Sequence, residues 1–327
     1  MYLLLNVGVL MIKPQLCMYL LLTLLITSIL PNVGFVSASN EKPIVVCTTS
    51  VLASIVRDLA DEKVVVEVIA SPAVCPAHYD VKPSDVEAFR HADLILMHGF
   101  EPWVEELKRA SGTEAPIVKI PGPWNTPKAL KDKYTKVANA LSEYLGIDMS
   151  ERLKECLGSI DETANWLQKY AEEYGFRDKP VVCMLWQKNF IEFLGFKIIA
   201  IYGPPEKVSA KQYESIITNA TKSHAVLVID NIQSGTELGK KIASEIGAIE
   251  VAISNFPGIA PELNNITSVM KWNAQQIAEA LENKDTLVKI NELRNEVNTW
   301  RMASISISVI AIAELIIIII MAKLRRR

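Results

Sequence analysis

The chain has 327 residues, half of them hydrophobic, which is enough for two domains of ordinary size. Residues 1–38 carry one basic group and residues 302–327 carry four basic and one acidic, so the body between them holds 29 basic and 36 acidic residues, a net of −7. An acidic body of this kind argues against a nucleic-acid partner and does not disfavour cations.

The apolar block Cys17–Leu30, with Lys13 before it and Val36-Ser37-Ala38 after it, reads as a secretory signal over residues 1–38. An uncleaved N-terminal anchor is the alternative. The first lobe, residues 39–149, then alternates short apolar runs with helical spacing. Strands are expected at Pro43–Cys47, Val64–Ala70, Asp93–Met97 and Ile117–Ile120. Helices fall between them at Val51–Ala60, from Ser84 to about His91 (with Ser84 and Glu87 as a capping box), and at Trp103–Arg109. Such alternation predicts a parallel sheet with crossover helices.

Residues 127–145 are helical in pattern, Gly146 breaks the run, and Ser150 is read as the cap of a longer helix. Its apolar stripe includes Leu153, Leu157, Ile160, Leu167 and Ala171. At ~1.5 Å per residue the helix spans roughly 35 Å, the width of a small domain. Residues 150–176 therefore read as a rigid spine between two lobes. The second lobe, residues 177–284, repeats the alternation, with strands at Pro180–Leu185, Lys197–Tyr202, Ala225–Ile229 and Ile249–Ile253 and a last packed helix from Ser268 to Leu281. The fold class is α/β: two lobes of parallel sheet joined by a long spine helix.

Residues 285–302 read as a helical stalk. Residues 303–322 have about the ~20 apolar positions a bilayer needs, interrupted once by Glu314. Lys323, Arg325, Arg326 and Arg327 form a basic tail, residues 323–327, that the positive-inside rule keeps in the cytoplasm. The body is then held outside the cell, on its surface, by a C-terminal transmembrane helix in contact with lipid.

The chemistry concentrates in Cys75-Pro76-Ala77-His78-Tyr79-Asp80, a loop between a strand and a helix. Cys75 and His78 are three residues apart, so one turn can offer a thiolate and an imidazole to one ion. From the second lobe, Cys183 and Met184 end a strand and supply soft donors, a set that suits zinc or Cu(I) better than manganese. His98, Trp186, Gln187, Asp230 and Asn255 stand at or just beyond strand ends and are expected to line a cleft. Two alternatives stand beside the metal reading: Cys75, His78 and Cys183 are structural, or Cys75 and Cys183 form a disulfide pinning the lobes. There is no Cys–x–x–Cys, nucleophile elbow or Gly-rich phosphate loop, so binding is favoured over catalysis.

Taken in order, Thr48-Thr49-Ser50-Val51-Leu52-Ala53-Ser54-Ile55-Val56, Pro83-Ser84-Asp85, Ala92-Asp93-Leu94-Ile95, Gly99-Phe100-Glu101-Pro102-Trp103, the spine, Phe190–Phe196 and Ser209-Ala210-Lys211 resemble the zinc/manganese-type substrate-binding proteins of ABC importers. The resemblance covers roughly residues 43 to 281. It implies two α/β lobes with a metal ion held between them as cargo, and an ABC permease with its ATPase as partners. It also implies ligand positions that this chain does not fill. The first-lobe histidine falls on Ala77, the turn Pro121-Gly122-Pro123-Trp124 offers no second histidine, the third ligand falls near Met184, and the closing aspartate falls near Asn255. Either the site has been rebuilt around Cys75, His78 and Cys183, with zinc ahead of copper, or the fold holds a non-metal ligand.

Overall fold

The computed structural model describes residues 41–286, 289, 293 and 296–301. In the first lobe, strands β1 (Ile44–Cys47), β2 (Val65–Val68), β3 (Leu94–Met97) and β4 (Ile117–Lys119) form a parallel sheet in the order β2-β1-β3-β4. Helices α1 (Ser50–Ala60), α2 (Pro83–His91) and α3 (Val104–Ser111) make the crossovers. Two longer helices follow, α4 (Pro127–Leu145) and the spine α5 (Ser150–Glu173). In the second lobe, β5 (Pro180–Met184), β6 (Lys197–Tyr202), β7 (Leu227–Asn231) and β8 (Ile249–Ile253) repeat the parallel arrangement as β6-β5-β7-β8. Here α6 (Lys188–Phe193), α7 (Ala210–Lys222) and α8 (Glu237–Ile246) are the crossovers, and α9 runs from residue 266 through 286.

Both sheets therefore reverse their strand order beside the first strand of the lobe, at β1 and at β5. In open parallel sheets such a switch point opens a crevice beyond the carboxyl ends of the strands. Each sheet has two covered faces, so its strands read as continuous apolar runs. The period of two divides them: Val45, Cys47, Leu94 and Leu96 pack toward the spine, while Val46, Ile95 and Met97 pack into a separate outer core with Phe89 and Leu107. In the second lobe Val181 and Cys183 join the spine-side core, and Val182 and Met184 face the other way with Tyr202 and Ile216.

The spine-side core is common to both lobes. Ile160, Leu167 and Ala171 of α5 share it with β1, β3, β5 and β7. The spine also bonds to each lobe: Arg152 Nε donates to Asp58 O at 2.7 Å, and Gln168 Nε2 donates to Phe193 O at 3.1 Å. Both sheets accordingly fall within one compact unit that begins at Lys42. A shared, close-packed core resists hinge motion, because opening it would expose apolar surface from both lobes.

Three local expectations change. Helix α2 starts at Pro83, one residue before Ser84, and the acidic side chain that closes its first turn is Asp85, which accepts from Lys82 N at 2.8 Å. Glu87 instead pairs with Arg90 and His91 on the exposed face. Ser150 is the first helical residue of α5, and Asp148 Oδ1 accepts its N–H at 2.9 Å. Strand β7 is displaced two residues toward the C-terminus, which draws Asp230 and Asn231 into the sheet. Among the described residues no helix is long and apolar enough to cross a membrane. The secretory signal, the span 303–322 with Glu314, and the basic tail lie outside the described residues.

Candidate functional site

The carboxyl ends of both sheets border one cleft of about 700 Å³. The turns after β2, β3 and β4 form one wall and those after β5 to β8 the other. Cys75 and His78 line the first wall, on the short 3-10 turn Pro76–His78. That turn is pinned from below. Trp103 Nε1 donates to Pro76 O at 2.8 Å, and the Tyr79 hydroxyl donates to Asp85 Oδ2 at 2.9 Å with its ring 5.4 Å from that of Trp103. The donor pair expected from the sequence is thus held on one preorganised turn at the cleft surface.

Beneath this wall lies a buried polar network. The Glu101 carboxylate accepts from Thr48 Oγ1 at 2.6 Å and from the N–H groups of His98, Gly99 and Phe100 at 2.7–2.9 Å. Those bonds wrap the β3–α3 turn around the acid, and Gly99 supplies the φ of +100° that the wrap requires. The wrap leaves Phe100 protruding, 46% exposed. His98 is buried below it. Lys133 Nζ donates to Ile120 O at 2.6 Å and to His98 Nδ1 at 3.1 Å, which leaves His98 Nε2 to donate to Thr49 Oγ1 at 2.8 Å. The imidazole stacks 4.5 Å from Trp124 and 5.4 Å from Phe100. Burial and the Lys133 ammonium hold His98 well below the usual histidine range, so it is a neutral ring. With both nitrogens engaged and its ring covered, His98 acts as a support under the aromatic wall, not as a cleft-lining group.

Lys133 was not singled out by sequence reasoning. Its signal was its position: it falls on the apolar stripe of α4 with Leu130, Tyr134 and Val137, and it is fully buried. Burial lowers its ammonium to about 8, partly offset by Glu101 and Asp132. It also sits 5.4 Å from the Trp124 ring centre, a cation–π contact.

The second wall differs from expectation at several residues. Cys183 is fully buried on the spine side of β5, and burial pushes its thiol up to about 12. Met184, one residue on, faces the outer core. Strand alternation sends the two to opposite faces of the sheet, and neither lines the cleft. Cys47, Cys75, Cys156 and Cys183 are all free thiols, so the lobes are not joined by a Cys75–Cys183 disulfide. Gln187 is buried, with Nε2 donating to Ile253 O at 3.4 Å. Asp230 is buried and accepts from the Tyr202 hydroxyl, away from the cleft. Trp186 and Asn255 do line it, and Trp186 is 47% exposed.

What joins the walls is amide chemistry. The Trp186 carbonyl accepts from Asn125 Nδ2 of the first lobe at 2.9 Å and from Asn255 Nδ2 of the second at 3.3 Å. Trp124 Nε1 crosses to Asn255 O at 2.7 Å, and Gln233 Nε2 crosses to Pro72 O at 3.1 Å while also donating to Ser254 Oγ at 2.9 Å. Asn255 Oδ1 has no hydrogen-bond partner although its residue is only 7% exposed. Among the described residues, no three or more His, Cys, Asp or Glu side chains gather so that they could hold one metal ion. The cleft thus supplies a thiol, an imidazole, several amides, the charged groups of Lys188, Glu206 and Lys207, and a large aromatic surface.

Residues 45–280 match the family described as ZnuA, zinc-uptake complex component A, periplasmic. Among curated proteins, the uncharacterized protein RP014 of Rickettsia prowazekii (strain Madrid E) is 33% identical over 88 residues, which is 26% of this chain and only 29% of that protein's length. Among solved structures, the periplasmic zinc binding protein TroA from Treponema pallidum superposes with a TM-score of 0.65 at 17% identity, covering 74% of this chain and 99% of that one. A crystal structure of ZnuA gives 0.62 at 20% identity over 74% and 100% of the two chains. The manganese-bound periplasmic metal binding protein of Candidatus Liberibacter asiaticus gives 0.63 at 15% identity over 73% and 100%. At these identities the superpositions establish the shared two-lobed fold.

Proposed function

The chain belongs to the ZnuA family of periplasmic zinc-uptake components, and from that premise we propose that it is the substrate-binding receptor of an ABC importer, capturing a transition-metal cargo between its lobes. It works by capture and release, not by catalysis. The permease and its ATPase are its partners. Residues 303–322 tether it to the plasma membrane with the body on the extracellular face. Zinc is the first choice of metal and copper the second, because a thiolate and an imidazole are borderline-to-soft donors.

The observation that carries this reading is the placement of Cys75 and His78 together on a pinned turn of the cleft wall. The stiffness of the shared core implies capture with little lobe closure. The test is metal analysis and zinc titration of the full chain purified with detergent, alongside Cys75→Ser and His78→Ala. Either substitution should weaken zinc at least tenfold. Absence of bound zinc or copper, with no thermal shift on adding either, would sink the proposal. One observation favours a second reading, an organic ligand without metal: four aromatic side chains, Phe100, Trp124, Trp186 and Phe256, are among the residues that line the cleft.

A further inference from the structure

We infer that the cargo enters as a metal chelate, a zinc or copper ion already held by a small flat organic ligand, and that the aromatic wall binds the organic part. This rests on the proposed function and narrows its substrate class.

The first argument is coordination number. A tetrahedral zinc site needs four donors, and structural or catalytic sites draw at least three from protein. Among the described residues no three acidic, histidine or cysteine side chains converge, and Cys75 and His78 are the soft donors that line the cleft. Two vacant positions on the ion would be met by a bidentate chelator.

Size is the second argument. A water occupies about 30 Å³, so an ion with six waters fills roughly 200 Å³. The cleft holds about 700 Å³, in the range of pockets for small organic molecules. Its surface fits that occupant. Phe100 and Trp186 stand half-exposed on opposite walls, whereas most other large aromatic side chains of the lobes are packed. Trp186 is also fixed by amides from both lobes, so its backbone is preorganised for a ring to stack on its side chain.

Charge and hydrogen bonding agree. The buried Lys133 ammonium lies behind the first wall, against Trp124 and His98. With Lys188 and Lys207 on the cleft wall and Glu206 the one lining carboxylate among the described residues, it opposes a bare dication more than one whose charge an anionic chelator has partly neutralised. Asn255, a cleft-lining residue, has its Oδ1 enclosed and without a hydrogen-bond partner, so an N–H or O–H of the organic part that reached it would meet an unmet acceptor.

The experiment titrates the full chain in detergent with zinc alone and with 1:1 zinc complexes of the neutral 1,10-phenanthroline and 2,2′-bipyridine and the anionic 8-hydroxyquinolinate. Each chelator is also titrated alone against metal-free protein, with affinity read by calorimetry and tryptophan fluorescence. At least one complex should bind tenfold or more tighter than zinc or its own chelator. The Phe100→Ala/Trp186→Ala double variant should lose at least tenfold more affinity for that complex than for bare zinc. If bare zinc binds as well as every complex, the inference falls while the metal-receptor reading stands. If a chelator binds equally with and without zinc, the inference falls; where zinc and copper alone also fail to bind, the metal-receptor reading falls with it, and the organic-ligand reading replaces both.

Discussion

Asp230 offers a sharp test of the second lobe's electrostatics. It is drawn into β7, 1% exposed, where it accepts from the Tyr202 hydroxyl. The backbone of Gly239 in α8 packs so closely on it that a Cβ there would lie 1.8 Å from Asp230 Oδ2. Burial raises its carboxyl to about 7; the Tyr202 bond opposes the rise and the neighbouring Glu250 and Glu237 add to it. The unfolded chain returns it to about 3.9. The folded state therefore holds more protons between those values, and stability contributed by Asp230 is present below pH 4 and lost as pH climbs to 7. Three pH units at about 1.4 kcal/mol each set a ceiling of about 4 kcal/mol, of which the window from pH 5 to pH 8 covers the two units up to pH 7, or roughly 2–3 kcal/mol. Asp230→Asn keeps an acceptor for Tyr202 and removes the charge. Urea unfolding of both proteins at pH 5 and pH 8 should find the variant within about 1 kcal/mol of the parent at pH 5 and about 2 kcal/mol more stable at pH 8. An equal effect at both pH values would refute the reasoning, since it would mean that Asp230 titrates alike in the folded and unfolded chains.

Gly239→Ala should destabilise by about 1–3 kcal/mol, an overpacking cost, and a cycle with Asp230→Ala should recover much of it; additive losses would contradict the contact. Trp124→Phe keeps a ring on His98 but deletes the bond to Asn255 O, so a loss of about 1 kcal/mol in denaturant unfolding is expected. Lys133→Met orphans Ile120 O and His98 Nδ1 and should cost roughly 2–4 kcal/mol at pH 7. Lys133 is lowered to about 8 on folding, so the unfolded chain holds more protons on it above that value, and its own contribution, read as the stability of parent minus Lys133→Met, should rise from pH 8 toward 10.5. A parent-minus-variant difference that stays flat across that window would contradict the lowered Lys133.

Much of the architecture was legible in the chain because it rests on short-range physics. Eight apolar runs of strand length alternate with helical spacing, and strands Lys197–Tyr202 and Ile249–Ile253 lie at the expected bounds. Ser209, with Gln212 three residues on, caps α7 by accepting from Gln212 N, a local pattern of the capping-box kind. The turn that carries Cys75 and His78 was likewise visible as a break between a strand and a helix. Cys183 was misplaced for a reason a one-dimensional reading cannot escape. Period two says that Cys183 and Met184 point to opposite faces, but not which face meets the cleft, and the spine takes the one while an outer core takes the other.

The sequence by itself determined two parallel sheets, the spine between them, and a turn bearing a thiol and an imidazole. Only the tertiary structure decided what surrounds that turn. Lys133 lies far along the chain on α4, yet it sits beneath the aromatic wall because α4 packs its stripe under β4 and His98. The amide clamp on Trp186 draws its donors from Asn125 and Asn255, 130 residues apart, and their meeting depends on how the spine orients the two lobes. Local pattern sets each residue's conformation; the chemistry of a cleft is set by which distant residues the shared core brings to face one another.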